Sequence, residues 1–307
     1  MRRISIILLA LTLFASLNAE AARKKARHVV LIGIDGWAAE AVRRAPASDI
    51  PNIRYLMENG SWTLAKRSVM PSASAINWTS MFNGLPTEMH GFDKWNSTKG
   101  SIPSTSDNGN GIPPTIFTVM RQQRPSAELG CVYDWGCIGI LSDSLALDYN
   151  YFIKTYRGKE TIIPTEEYTK IATDYIKDKK PDLLVFYYGA LDNAGHQFGW
   201  YGPEYMECQK SLDRGVGMVI QALKDAGIFD DTIIIMSSDH GGKDKGHGGF
   251  TMLELETPFI VFGNKVKKGN EFQEPMMQYD TAATIAYILG LDIPEDWRGK
   301  PLKRIFK

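Results

Sequence analysis

Three short apolar runs, His28–Ile34 (HVVLIGI), Leu183–Tyr188 (LLVFYY) and Thr232–Met236 (TIIIM), each stop abruptly at polar residues. They are apolar at consecutive rather than alternate positions and rich in β-branched and aromatic residues, so they predict strands buried on both faces. A fourth run, Pro258–Phe262, closes on Gly263-Asn264. Between the runs, Ile53–Asn59, Glu166–Lys177, Glu204–Asp225 and Thr281–Leu289 carry apolar residues three and four apart, the spacing of amphipathic helices. The alternation predicts an α/β fold with a mainly parallel central sheet flanked by helices. Ligands of such sheets bind beyond the carboxyl ends of the strands, where the polar residues lie.

Arg2 and Arg3 precede an apolar stretch from Ile4 to Leu17 that exits through Ala19-Glu20-Ala21. The stretch is shorter than the about 20 residues of a membrane helix, and its small exit residues fit a signal-peptidase site. Residues 1–21 therefore read as a signal peptide and 22–307 as a single domain, periplasmic or secreted, with no membrane span. The exit lacks the cysteine that a lipid anchor needs. The 35 basic residues equal the 35 acidic ones, so no nucleic-acid polymer footprint and no polybasic membrane patch is visible. Cys131, Cys137 and Cys208 are too few and too scattered for a disulfide framework or a thiolate metal site. Cys131 and Cys137, around a Tyr-Asp-Trp-Gly turn, fit either an exported disulfide or two ordinary thiols. From Asn96 to Pro114 the composition turns to Ser, Thr, Gly, Asn and Pro, which predicts a long surface loop.

The strand ends carry the chemistry. Asp239-His240-Gly241-Gly242 follows one apolar run, and His247-Gly248-Gly249 lies across a glycine-rich loop. Glycine lets such a loop fold back, so both imidazoles and the carboxylate can meet one ion. Asp192 and His196, four apart after another run, share one face of a helical turn and can bind an ion together. Asp35 ends the first run. Taken singly each could be a turn former or a cap, but three of the five histidines fall in strand-end loops beside aspartates.

Met70-Pro71-Ser72-Ala73-Ser74 precedes an apolar helical stretch that closes on Gly84, so Ser74 stands at or near a helix N-terminus. Amides and dipole there favour an anion such as a phosphoryl group. Either serine could be a mere cap. A serine hydroxyl is a weak nucleophile, but a metal can hold it as alkoxide.

In order along the chain, Gly33-Ile34-Asp35-Gly36, Pro71–Gly91, Asp192–His196, Asp239-His240-Gly241 and His247-Gly248 resemble the alkaline phosphatase superfamily. Within it they are most similar to the type I phosphodiesterase/nucleotide pyrophosphatase family. Tyr279–Ile285 with Gly290-Leu291, and Arg298–Leu302, resemble the superfamily's C-terminal segment. The resemblance implies an alkaline-phosphatase-like catalytic domain over 22–307. It assigns Asp192, His196 and His247 to one metal, Asp35, Asp239 and His240 to the other, and Ser74 to the position between them as nucleophile. It implies in-line hydrolysis of a small phosphate ester through a phosphoseryl intermediate, between two divalent ions about 4 Å apart. Imidazole and carboxylate without thiolate suit zinc best, with manganese the alternative.

The chain departs from that pattern after His90-Gly91. The family usually places there an asparagine that meets a phosphoryl oxygen; a gapless alignment puts Trp95 at that position, with Asn96 one residue later. Both are the candidates for substrate binding. Ala75-Ile76-Asn77-Trp78 after Ser74 lacks the proline and arginine that a formylglycine sulfatase needs. Phosphomonoesterase and phosphotransferase chemistry would use the same metals and nucleophile. A diester is the expected substrate, since Arg67 and Arg121 leave no arginine between them and Lys94, Lys243 and Lys245 are the cations near the motifs. On spacing alone, loss of the Ser72 hydroxyl is a mild change.

Overall fold

In the computed structural model, which describes residues 24–109, 111–154 and 166–307, the apolar runs lie side by side. The eight strands of the sheet are β1 His28–Ile34, β2 Ser61–Arg67, β3 Leu129–Tyr133, β4 Tyr149–Phe152, β5 Leu183–Tyr188, β6 Thr232–Ser237, β7 Glu256–Phe262 and β8 Asn270–Glu271. Their order is β4-β3-β5-β1-β6-β7-β2-β8. From β4 to β6 the strands run parallel, with Val29 opposite Leu183 and Ile233. The fourth run is the exception: β7 runs antiparallel to both β6 and β2. Residues 1–21, and with them the expected signal peptide, lie outside the described residues.

Every residue of β1 is buried because both faces are covered. Val29 and Leu31 pack against the face carrying Trp78, Phe82 and Phe117, whereas Val30, Ile32 and Ile34 pack against Leu212, Val216 and Val219 of the long helix Pro203–Asp225. Side chains alternate across a strand, so one apolar run feeds two cores. Each aliphatic side chain fully buried this way contributes about 1.5–3 kcal/mol, which is why the central runs are apolar except for His28 and Thr232 at their first positions. Among the described residues, Asn96–Pro114 carries no helix or strand, as its composition predicts. No helix among the described residues is long and apolar enough to cross a membrane. Cys131 is a buried thiol on β3, and the Cys137 Sγ points instead to the Asn96 carbonyl at 3.7 Å, so no disulfide joins them.

Because β5, β1 and β6 are parallel neighbours, their carboxyl ends share one edge of the sheet. Asp35 follows β1 there, the helix Ala190–Phe198 with Asp192 and His196 follows β5, and Asp239-His240 follows β6.

Candidate active site

Asp35 and Asp239 are sealed from solvent at the ends of their strands, 1% and 0% exposed. Trp78 Nε1 (2.9 Å) and the Tyr187 hydroxyl (2.6 Å) both donate to Asp35 Oδ2. The Gly36 amide (3.1 Å) and Ser238 Oγ (3.3 Å) donate to Asp239 Oδ1. Each carboxylate is thus held by one oxygen, and among the described residues Asp35 Oδ1 and Asp239 Oδ2 have no hydrogen-bond partner. Both unmatched oxygens face the imidazole of His240, at 3.5 and 3.2 Å from Nε2. His240 Nδ1 lies 2.8 Å from the Gly241 carbonyl, which can only accept, so Nδ1 carries a proton and Nε2 is the ring atom turned to the carboxylates. Ser74 Oγ is 3.1 Å from the same Nε2.

Ser74 opens the helix Ser74–Asn83, after an extended Ala73. Asn77, one turn on, fixes the approach: its Oδ1 accepts the Val69 amide (2.7 Å), and its Nδ2 donates to the Val69, Pro71 and Ala73 carbonyls (3.1 Å each). The Ala75 amide, expected to face an anion, donates to the Trp95 carbonyl at 2.9 Å. That contact ties the loop carrying Trp95 to the helix that carries Ser74.

On the other side, His247 Nε2 is 3.8 Å and His196 Nε2 3.4 Å from the Asp192 carboxylate. Their Nδ1 atoms meet the carbonyls of Ser72 (2.9 Å) and Lys245 (3.0 Å), which turns both Nε2 atoms toward Asp192. Ligand atoms of Asp35, Asp239 and His240 lie within 4.8 Å of one another, and so do those of Asp192, His240 and His247. His240 therefore borders both groups, its ring stacked on His247 with centroids 3.7 Å apart. His196 stands on the solvent side, its side chain 46% exposed, outside either cluster.

The electrostatics fit a cation. Burial first, and then the charge of Asp35, hold the Asp239 carboxyl well above the usual carboxylate range. Burial, followed by the neighbouring His240, pushes His247 down to about 2, so its ring stays neutral with its lone pair available. Oxygens and nitrogens that repel one another in a dry pocket are the donor set that a divalent ion reconciles.

Ser74, Asp35, Asp192, His196 and His247 line a cleft of 650 Å³ together with Asp93, Lys94, Trp95, Trp135 and Asn193. Trp95 lines that cleft and is 57% exposed. Asn96 is exposed beside the cleft without lining it. Lys243 and Lys245 are exposed outside it, Lys245 donating to the Gln197 carbonyl. Three supporting residues have roles that sequence reasoning misses: Tyr187, which reads as core, Trp78, which reads as apolar area for an ester substituent or as core and is 0% exposed, and the fully buried Lys66. Lys66 Nζ donates to the Ser238 carbonyl (2.6 Å) and to Gln278 Oε1 immediately behind Asp239.

Comparison with known proteins agrees with this architecture. Murine ectonucleotide pyrophosphatase/phosphodiesterase 5, solved as an inactive form in complex with AMP, superposes with a TM-score of 0.70 at 16% identity, covering 92% of this chain and 100% of that one. A 2-O GAG sulfatase superposes with a TM-score of 0.66 at 14% identity over 90% of this chain and 73% of that one. At such identities the likeness concerns the fold, which is the alkaline-phosphatase-like one. In sequence, the chain is 26% identical over 225 residues to ectonucleotide pyrophosphatase/phosphodiesterase family member 1 of Mus musculus, covering 69% of this chain and 24% of that protein. It is 27% identical over 188 residues to GPI ethanolamine phosphate transferase 1 of Emericella nidulans, covering 53% of this chain and 20% of that protein. The match thus spans about a quarter or less of the length of these relatives. The family model "Type I phosphodiesterase / nucleotide pyrophosphatase" matches residues 29–255, from the first strand through the His247 loop, and the chain belongs to that family.

Proposed function

We propose that this chain is a metal-dependent phosphoric ester hydrolase of the phosphodiesterase type, with Ser74 as nucleophile. The convergence of Ser74 Oγ, Asp35 Oδ1 and Asp239 Oδ2 on His240 Nε2, all within 3.5 Å, carries the proposal. Asp35, Asp239, His240 and Ser74 would hold one divalent ion, and Asp192, His196 and His247 a second. Nitrogen and oxygen donors without thiolate favour zinc, with manganese the alternative. Bound there, the ions supply positive charge against the phosphoryl oxygens and lower the pKa of the Ser74 hydroxyl.

The chain's own residues do the positioning. Ser74 Oγ, aimed by the Asn77 contacts, attacks phosphorus in line; its bond to phosphorus forms as the bond to the leaving oxygen breaks. The leaving group takes up a proton, and a phosphoseryl intermediate remains. Water then displaces Oγ, phosphate leaves with the remaining substituent, and Ser74 regains its proton. Trp95 and Trp135 give apolar area to the ester substituents, with Asn96 beside them. A second reading, phosphotransfer, replaces that water by an acceptor hydroxyl; the likeness to GPI ethanolamine phosphate transferases favours it. The apolar stretch Ile4–Leu17 supports export, with 1–21 as a signal peptide and 22–307 as one catalytic domain in the periplasm or outside the cell.

Ser74→Ala tests the assignment. The variant should keep its fold and metal content yet lose several orders of magnitude in turnover of nitrophenyl phosphate esters. Unimpaired turnover would remove Ser74 from the reaction.

A further inference from the structure

Asp35, Asp239 and His240 follow within three residues of a strand end, whereas His247 sits in the middle of the loop between β6 and the short helix Met252–Leu255, with Gly246, Gly248 and Gly249 around it. Gly248 has φ +107°, a conformation that side chains rarely adopt. A loop this rich in glycine has many conformations to lose, so something must fix the imidazole before it can serve as a ligand.

We infer that Ser72 is the positioning residue that holds His247 in place and ties it to the nucleophile two residues away. Ser72 is 0% exposed. Its carbonyl lies 2.9 Å from His247 Nδ1, which sets the tautomer and turns Nε2 toward Asp192. Its hydroxyl accepts the Gly248 amide at 3.1 Å and donates to the Gly249 carbonyl at 3.0 Å. One serine thus meets three consecutive residues of the loop, using both its main chain and its side chain. Glu254 Oε1 takes the remaining Gly249 amide at 2.7 Å and closes the far side of the loop. The Pro71 and Ala73 carbonyls on either side of Ser72 both accept from Asn77 Nδ2, so the anchor is rigid. Ser72 is therefore more than a cap before the helix. Through it, the spacing between Ser74 and His247 is set by one short segment of chain.

This inference rests on the proposed metal site, and its test separates the two. Zinc would be titrated into the chelated, full-length chain against a chromophoric chelator, for wild type, Ser72→Ala and Ser72→Thr, with thermal unfolding of each chelated protein recorded alongside. Ser72→Ala keeps the carbonyl that meets His247 Nδ1 and removes the hydroxyl that holds Gly248 and Gly249; loss of an outer contact that orients a metal-bound histidine typically weakens metal affinity about 10–100-fold. Ser72→Ala should therefore weaken one of two zinc sites by at least about tenfold, leave the other as in wild type, and change the unfolding of the chelated chain little. Ser72→Thr, which keeps the hydroxyl, should bind both ions as wild type does. If Ser72→Ala retains both wild-type affinities, the inference is overturned while the metal site stands. If Ser72→Thr folds yet loses the same site, the hydroxyl contact is not the cause and the inference is equally overturned. A wild-type chain that takes up no zinc would instead remove the metal reading itself.

Discussion

An ammonium group shut away from water must find acceptors or give up its proton. Lys66 is wholly buried, and burial lowers its pKa to about 7 from 10.5, against the opposing charges of Asp239 and Asp280. Its folded value lies below its unfolded value, so between them the unfolded chain binds more protons and stability rises with pH. The penalty is full at and below about 7 and fades toward 10.5. In chelated protein the urea midpoint of wild type should climb across that window relative to Lys66→Met; parallel curves would show that Lys66 does not titrate there. Nothing in Ser-Trp-Thr-Leu-Ala-Lys-Arg marks this lysine as buried, because a charged residue near the end of a strand ordinarily reaches solvent. Asp35, Asp192, Asp239, His240 and His247 were legible for the opposite reason: each follows an apolar run or a glycine turn that leaves a polar side chain no structural duty. The sharing of His240 between the two groups was not legible, since it depends on the stacking of two rings that sequence spacing does not fix.

At the scale of an element, β1 shows how closely strand and site are joined. A Cβ on Gly33 would lie 2.4 Å from Trp78 Cη2, and Trp78 is one of the two donors that hold Asp35. Gly33→Ala should therefore cost about 1–3 kcal/mol by overpacking, read as a lower urea midpoint, and also weaken zinc binding by displacing the indole from Asp35. A destabilised variant with wild-type zinc affinity would disconnect the indole from the site. The elements themselves were readable where burial is two-sided: β1 and β5 have the bounds their apolar runs predict, and β6 extends one residue further. β2 and β3 were not. Ser61–Arg67 is only partly buried and mixes polar with apolar residues, and Leu129–Tyr133 is a five-residue strand containing glycine. Pairing with neighbours, rather than local pattern, makes both of them strands. The direction of β7 is likewise a property of its partners, which no apolar run of five residues can encode.

For the whole molecule, the parallel strands gather the charged groups at one edge of the sheet, and the lining of the cleft above them decides which ester the proposed reaction would favour. Among the described residues lining that cleft, Lys94 is the only lysine or arginine, and it shares the lining with Asp93, Trp95 and Trp135. A monoester dianion needs a dedicated cation for its extra charge, and the neighbouring carboxylate offsets the one present. Bis-nitrophenyl phosphate should accordingly surpass nitrophenyl phosphate in kcat/KM. A tenfold monoester advantage, about 1.4 kcal/mol of transition-state binding, would reverse the preference, and its loss in Lys94→Ala would name the cation responsible. The central claim, that carboxylates and imidazoles from three strand ends act through metal, meets its most direct test in chelation. Hydrolysis of bis-nitrophenyl phosphate by the purified chain should vanish on exhaustive chelation and return as about two zinc ions per chain are restored; full activity in the chelated protein would contradict it.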